Sequence, residues 1–413
     1  MSRLDSDVVL LFAARCGRMF AYGGLAIILV LYLVRIGLDG AAVGLILSLT
    51  LIGDIGISLW LTTHADRLGR RRVLVAGSLL MAGAGVVFAL TDAFPLLLIA
   101  ATIGVLSPSG NEVGPFLAVE QASLSEVTQG RDRTAVFAAY NLAGSVATAT
   151  GALVAGIAVS ALEASGFDTL ASYRVVFVAY AAVGLGQAAI FGAISAEVEV
   201  APRERIETSV GIRLGLGRSR ETVIRLAALF AVDAFAGGLV VQSLIAYWFH
   251  LTYGVDEALL GGIFFCANLA AAASALAAAR IARRIGLINT MVFTHLPSNV
   301  LLILVPLMPN LGLAIVVLLA RYSISQMDVP TRQSYTMAVV DPDERSAAAG
   351  VTGIARSTGA ALSTNIAAPL VATPALAALP FFIAGGLKIV YDLTLWSLFR
   401  ARPTPEEVRD ATT

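Results

Sequence analysis

Twelve stretches of mainly apolar residues, each about as long as a bilayer is thick and separated by polar turns, constrain this chain more than any motif in it. A helix needs ~20 such residues to cross the hydrocarbon core, and lipid offers no partner for an unpaired backbone group. The spans run near 8–34, 41–63, 73–91, 95–121, 134–161, 174–195, 222–248, 258–279, 289–308, 312–336, 346–372 and 377–399. The ninth is the least regular, because His295, Pro297, Ser298 and Asn299 interrupt it. Charged residues make up 14% of the chain, about half the ~25% usual in soluble domains, and apolar residues 58%. The expectation is an all-α polytopic membrane protein with 12 transmembrane helices and both termini on one side.

Arginine assigns that side. Of 28 basic residues all but Lys388 are arginine. They gather after spans two (Arg67, Arg70, Arg71, Arg72), four (Arg131, Arg133), six (Arg203 to Arg220), eight (Arg283, Arg284) and ten (Arg345), and in the tail. The opposite turns hold little beyond Arg35 and Arg174. By the positive-inside bias both termini are cytoplasmic, in a multi-pass protein of the cell inner (plasma) membrane. The first apolar run is long and contains arginines, so it does not read as a cleavable signal peptide. The polar interval Glu197–Glu221 divides the chain into an N-terminal six-helix bundle (1–196), a cytoplasmic central loop (197–221) and a C-terminal six-helix bundle with a short tail (222–413). Within that loop, Val210–Leu216 has the pattern of a helix lying on the membrane surface.

The two halves repeat one another. Ala65-Asp-Arg-Leu-Gly-Arg-Arg-Arg72, between spans two and three, has a degraded copy in Ala282-Arg-Arg-Ile-Gly286, 217 residues on. Ile36-Gly-Leu-Asp39 matches Tyr253-Gly-Val-Asp256 at the same offset. Phe20-Ala-Tyr-Gly-Gly-Leu resembles Phe235-Ala-Gly-Gly-Leu, Asn111-Glu-Val-Gly-Pro resembles Met327-Asp-Val-Pro, and Arg133-Thr matches Arg345-Ser. Both halves begin on the same side, so the two six-helix bundles are related by a parallel pseudo-two-fold axis normal to the membrane.

Twelve spans, the 6+6 repeat, the central loop and Asp66-Arg67-Leu68-Gly69-Arg70-Arg71 together resemble the major facilitator superfamily. The motif departs from the family pattern in having Thr62 where a glycine usually stands, and span five lacks the antiporter glycine-proline signature. The resemblance implies a secondary active transporter moving a small organic solute by alternating access, with spans one, four, seven and ten lining the cavity. Proton coupling is expected because no Gly-x-x-x-x-Gly-Lys-Ser/Thr nucleotide motif is present. Efflux is the leading direction and uptake of an organic anion the alternative. An enzyme is not expected, since there is no Gly-x-Ser-x-Gly motif and no paired histidines. A non-transporting sensor on the same scaffold is the remaining alternative. The expected partners are a small-molecule substrate, protons and the lipid bilayer, with no nucleic acid, and the expected state is a monomer. Cys16 and Cys266 lie in apolar runs and the three histidines are scattered, so neither a disulfide framework nor a metal or other cofactor is expected.

Charge inside a membrane span is costly and normally faces a cavity or a partner. Arg15 and Arg18 (span one), Glu112 and Glu120 (span four), Asp233 (span seven), and Arg321, Asp328 and Arg332 (span ten) are such groups, with the neutral polar Gln242 and Gln326 on spans seven and ten. Two readings stand: partners that exchange for a proton or substrate, or fixed ion pairs that lock helices. Ser107-Pro-Ser-Gly-Asn-Glu-Val-Gly-Pro115 must break its helix and free carbonyls beside Asn111 and Glu112, and Asp328 and Pro330 mark the corresponding point. Paired interruptions of this kind point to a transporter's binding site. The expected substrate and proton site is therefore Arg18, Asn111, Glu112, Asp233, Gln242, Gln326, Asp328 and Arg332, with Glu112 or Asp328 carrying the proton. Arg18, Arg332 and Lys388 are candidates for an anionic group, although Lys388 and Asp392, spaced i,i+4, suit a pair on one helix face. The resemblance implies that Asp66, on a turn with Arg67, Gly69 and Arg71, docks at the start of span eleven as an inner gate. It also implies that Asp54 and Arg356 form a gating pair. Spans five and eleven, rich in Gly, Ala and Ser, suit close packing.

Overall fold

The computed structural model describes residues 3–127, 133–195, 217–341 and 343–400, with no strand among them. The first three spans are continuous helices, α1 (Arg3–Arg35), α2 (Gly40–Leu68) and α3 (Arg70–Leu90). Span four is split into α4 (Phe94–Ile103) and α5 (Phe116–Val127), and α6 (Arg133–Ala164) and α7 (Thr169–Ala193) complete the first half. Span seven is split into α8 (Arg220–Gly238) and α9 (Gln242–Tyr253), followed by α10 (Glu257–Ile285) and α11 (Leu287–Leu304). Span ten is split into α12 (Leu311–Ser325) and α13 (Asp328–Ala338), and α14 (Arg345–Ala372) and α15 (Leu379–Phe399) end the described chain. Among the described residues ten segments are long and apolar enough to cross a membrane; α4 with α5, and α14, supply the other two spans. Pro297 and its polar neighbours do not break span nine, because α11 runs through them. The central loop's expected surface helix lies outside the described residues.

The repeat is written in backbone geometry as well as in letters. Gly69 precedes α3 at φ +93° and Gly286 precedes α11 at φ +85°, a conformation that a side chain strains. One turn earlier in each half, Gly37 and Gly254 also have positive φ. Asp39 then caps α2 by accepting from Ala42 N–H at 2.8 Å, and Asp256 caps α10 by accepting from Leu259 N–H at 2.8 Å. Small residues set the closest helix approaches: a Cβ on Gly151 of α6 would lie 1.9 Å from the Phe20 carbonyl of α1, and one on Gly238 of α8 would lie 2.1 Å from Ser363 Oγ of α14.

Packing divides the chain into two compact units. Unit 1 is Met1–Arg205 with Val241–Phe265, and unit 2 is Ile206–Val240 with Cys266–Thr413. The units thus depart from the halves at 1–196 and 222–413 over one stretch. In unit 1 that stretch is held by the Ser243 N–H, which donates to the Pro108 carbonyl at 3.2 Å, and by Tyr173 Oη, which donates to Glu257 at 2.5 Å. A glycine contact adds to this, since a Cβ on Gly156 would lie 2.1 Å from the Glu257 carbonyl.

At the start of α8 in unit 2, the Glu344 carboxylate accepts from the N–H groups of Gly217 (2.7 Å), Arg218 (3.0 Å) and Ser219 (2.9 Å). Burial alone would raise this carboxyl, but the three N–H donors hold it below the ordinary glutamate value. Arg218 pairs with Asp341 at 3.0 Å beside it.

Candidate functional site

In unit 1 the charges of spans one and four form a closed set. Arg18 is fully buried and takes both oxygens of Glu120 at 2.7 Å, while its Nε reaches Glu112 at 2.7 Å. Arg15, one helical turn earlier on α1, donates to the other Glu112 oxygen at 2.7 Å and to the Tyr140 carbonyl at 3.1 Å. Tyr140 Oη donates to Glu120, and the two guanidinium groups lie over the rings of Tyr140 (4.5 Å) and Phe116 (4.4 Å). Two cations thus meet two anions with every carboxylate oxygen engaged. A proton added to Glu112 would have to compete with an arginine contact. Beside this set, Phe12, Cys16, Phe20, Leu142, Val146 and Thr150 line an apolar recess of about 720 Å³ between α1 and α6.

The break in span four has several of its carbonyls engaged. Tyr180 Oη donates to the Val105 carbonyl at 2.8 Å, Ser107 Oγ to Asn111 at 2.7 Å and Tyr22 Oη to Val113 at 3.4 Å, while Pro108 receives Ser243. Gly110 and Gly114 take positive φ to make the turn, and the Gly114 N–H donates to Asp54 at 2.5 Å. Within the stretch, Val105, Pro108, Asn111 and Val113 have their carbonyls engaged, three of them by neighbouring helices, as low-dielectric burial favours. Asp54, expected in a gate, is the cap of this turn. Span seven also breaks, which the sequence reading did not anticipate. Gln242 opens α9 there, buried, and among the described residues its Nε2 and the neighbouring Ser243 Oγ have no partner.

Unit 2 is built differently. Asp233, on α8, receives Lys388 of α15 at 2.5 Å on one oxygen and Arg332 of α13 at 3.1 Å on the other. The same Arg332 nitrogen reaches Asp328 at 3.0 Å, one turn away on α13. Asp328 is the first residue of that helix, where a carboxylate offsets the exposed N–H dipoles. His295 of α11 places Nδ1 2.9 Å from Asp392 and Nε2 4.0 Å from Asp233, so it stands between two carboxylates. Asn299, one turn along α11, donates to the other Asp392 oxygen at 2.9 Å. The i,i+4 pair expected between Lys388 and Asp392 is therefore corrected: each turns to a different helix, Lys388 to α8 and Asp392 to α11.

Four predicted residues of unit 2 sit in or beside this network. Asp233, Asp328 and Arg332 are its core, and Arg356 of α14 lies within its electrostatic reach without donating a hydrogen bond. The Gln326 N–H is 3.4 Å from Ser274 Oγ, at the gap between α12 and α13. In unit 1, Arg18 and Glu112 are joined while the Asn111 side chain is exposed. Of the gating turn, Gly69 shapes the start of α3 and Arg71 donates to the Gly192 carbonyl of α7. The side chains of Asp66 and Arg67 lie outside the described residues. His295, Asn299, Asp392 and Tyr140 were not among the expected site residues; Lys388 was expected only as a candidate for an anionic group or a helix-face pair, and Arg15 and Glu120 only as buried charge. The usable signals were a histidine and an asparagine spaced i,i+4 inside an apolar span, and one lysine in a chain that otherwise uses only arginine.

A family model described as the Major Facilitator Superfamily matches residues 11–364. The chain belongs to that superfamily. It is 31% identical to the uncharacterized membrane protein YJR124C of Saccharomyces cerevisiae, across 95% of this chain and 94% of that protein. Its fold is similar to that of a mutant of the nucleoside transporter NupG, with a TM-score of 0.76 at 14% identity over 95% of this chain and all of that one (100%). A D-xylose-proton symporter superposes with a TM-score of 0.71 at 14% identity, over 94% of this chain and 97% of that one. At such identities the likeness is one of fold. This superfamily member is a multi-pass transporter of a small solute, not an enzyme.

Proposed function

We propose that the protein is a proton-coupled secondary transporter of a small organic solute, working by alternating access, with its coupling site in unit 2. The observation that carries this is His295, with Asp392 on one ring nitrogen and Asp233 4.0 Å from the other. Histidine changes charge within the physiological range and has two nitrogens to pass a proton between. Asp233 is simultaneously the shared partner of Lys388 and Arg332, so a proton taken up by His295 beside it adds a third cation that competes for its oxygens and loosens a contact to another helix. That converts protonation into a change of helix contacts. The coupling role thereby passes from Glu112 or Asp328 to Asp233 and His295. The setting is a plasma membrane with both termini cytoplasmic, in a monomer of two six-helix bundles that rock about the solute. A coupled carrier is reversible, and the proposed net direction is efflux, proton entering as solute leaves.

Solutes that raise the melting temperature of the purified protein would be taken into proteoliposomes carrying a pH-sensitive dye inside. Solute-dependent proton movement is expected in the wild type and lost in Asp233→Asn. Solute movement with no proton movement in the wild type, or undiminished coupling in Asp233→Asn, refutes the proposal.

A further inference from the structure

Arg356 stands apart from the other charges around Asp233. The acids around it are committed: Asp233 to Lys388 and Arg332, Asp328 to Arg332, and Asp392 to His295 and Asn299. Arg356 is within electrostatic range of Asp233, Asp328 and Arg332, yet it has no ion-pair or hydrogen-bond partner among the described residues. Its Nε is buried while the side chain as a whole is half-buried, so part of the fork remains open to an incoming group. It sits eleven residues into α14, ~16 Å along the helix, which is too deep for lipid headgroups to satisfy it. A guanidinium held at that depth without an anion is a standing cost, removed when an anion arrives. The fork suits a carboxylate or phosphate, each offering two oxygens in one plane.

We infer that Arg356 receives an anionic group, carboxylate or phosphate, of the transported solute. This rests on the reading of unit 2 as the working site of the transporter, and it replaces a gate role for Arg356 with a recognition role. The solute class that follows is a small organic anion.

The test uses the full-length purified protein in detergent and four probes of similar size: benzoate, phenyl phosphate, benzamide and benzyl alcohol. At least one of the two anions is expected to raise the melting temperature of the wild type more than either neutral probe does. In Arg356→Gln the half-maximal concentration for that anion should rise about tenfold or more, as for loss of one charge-assisted contact. Arg356→Lys, which keeps the charge but not the fork, should fall between them and covers the case in which the glutamine variant does not fold. Asp233→Asn should keep the preference for anions while losing proton coupling, so failure of the coupling proposal and failure of this inference are distinguishable. Equal responses to anionic and neutral probes, no anion response in the wild type, or an unweakened response in both Arg356 variants would overturn the inference.

Discussion

The two sequence halves carry the same turns, while the two packed units make opposite uses of charge. Gly69 and Gly286, Gly37 and Gly254, and Asp39 and Asp256 repeat one geometry at one offset. Buried positions did not keep pace: Arg18 stands where unit 2 has Asp233, and Glu120 where it has Tyr335. Unit 1 therefore closes two arginines on two glutamates with nothing left over. The Asp233 network of unit 2 joins three aspartates, a lysine, a histidine and Arg332, and Arg356 beside it has no ion-pair or hydrogen-bond partner among the described residues. The difference teaches that duplication preserves what the backbone demands and leaves buried charge free to specialise. A closed, dry set of pairs locks helices; an open set with a histidine in it is able to change state.

The largest effect expected from this contrast is on stability in unit 1. Arg18→Met leaves buried Glu120 without a cation and Glu112 with Arg15 alone, and should cost about 3–5 kcal/mol, seen as loss of folded protein or a sharp drop in melting temperature. A stable, fully active Arg18→Met protein would break the contrast. Next come the turns. Gly69→Val and Gly286→Val each force a side chain into a strained positive-φ backbone and should each lose about 1–3 kcal/mol. Matched losses in thermal unfolding sharpen the claim of one geometry used twice, and a neutral Gly286→Val undoes it. His295→Gln should leave the melting temperature nearly unchanged and lower proton-driven solute flux several-fold. A large loss of stability with normal flux would make unit 2 a second lock.

The smallest effect concerns Glu344. Its carboxyl is held below the ordinary glutamate value in the folded protein, so its contribution is fully present above the unfolded value of about 4.3. It is lost as pH falls through the folded value. Glu344→Gln should therefore melt a few degrees lower than wild type at neutral pH, with the difference shrinking on acidification below about pH 4. A difference independent of pH would assign the contribution to packing.

The sequence by itself determined the class, the spans, the superfamily and the repeat. Hydrocarbon core thickness and backbone satisfaction leave a chain this apolar few alternatives, and turn geometry ties glycine and aspartate to fixed places. It also named Arg18, Glu112, Asp233, Asp328 and Arg332 as buried charge, because charge in an apolar span is conspicuous. Which of them meet is a property of helix rotation and crossing, set by contacts far apart in sequence. Only the tertiary structure joined Asp233 to Lys388 across 155 residues and His295 to Asp392 across 97. It likewise engaged several carbonyls of the broken stretch around Glu112, and left Arg356 with no ion-pair or hydrogen-bond partner among the described residues.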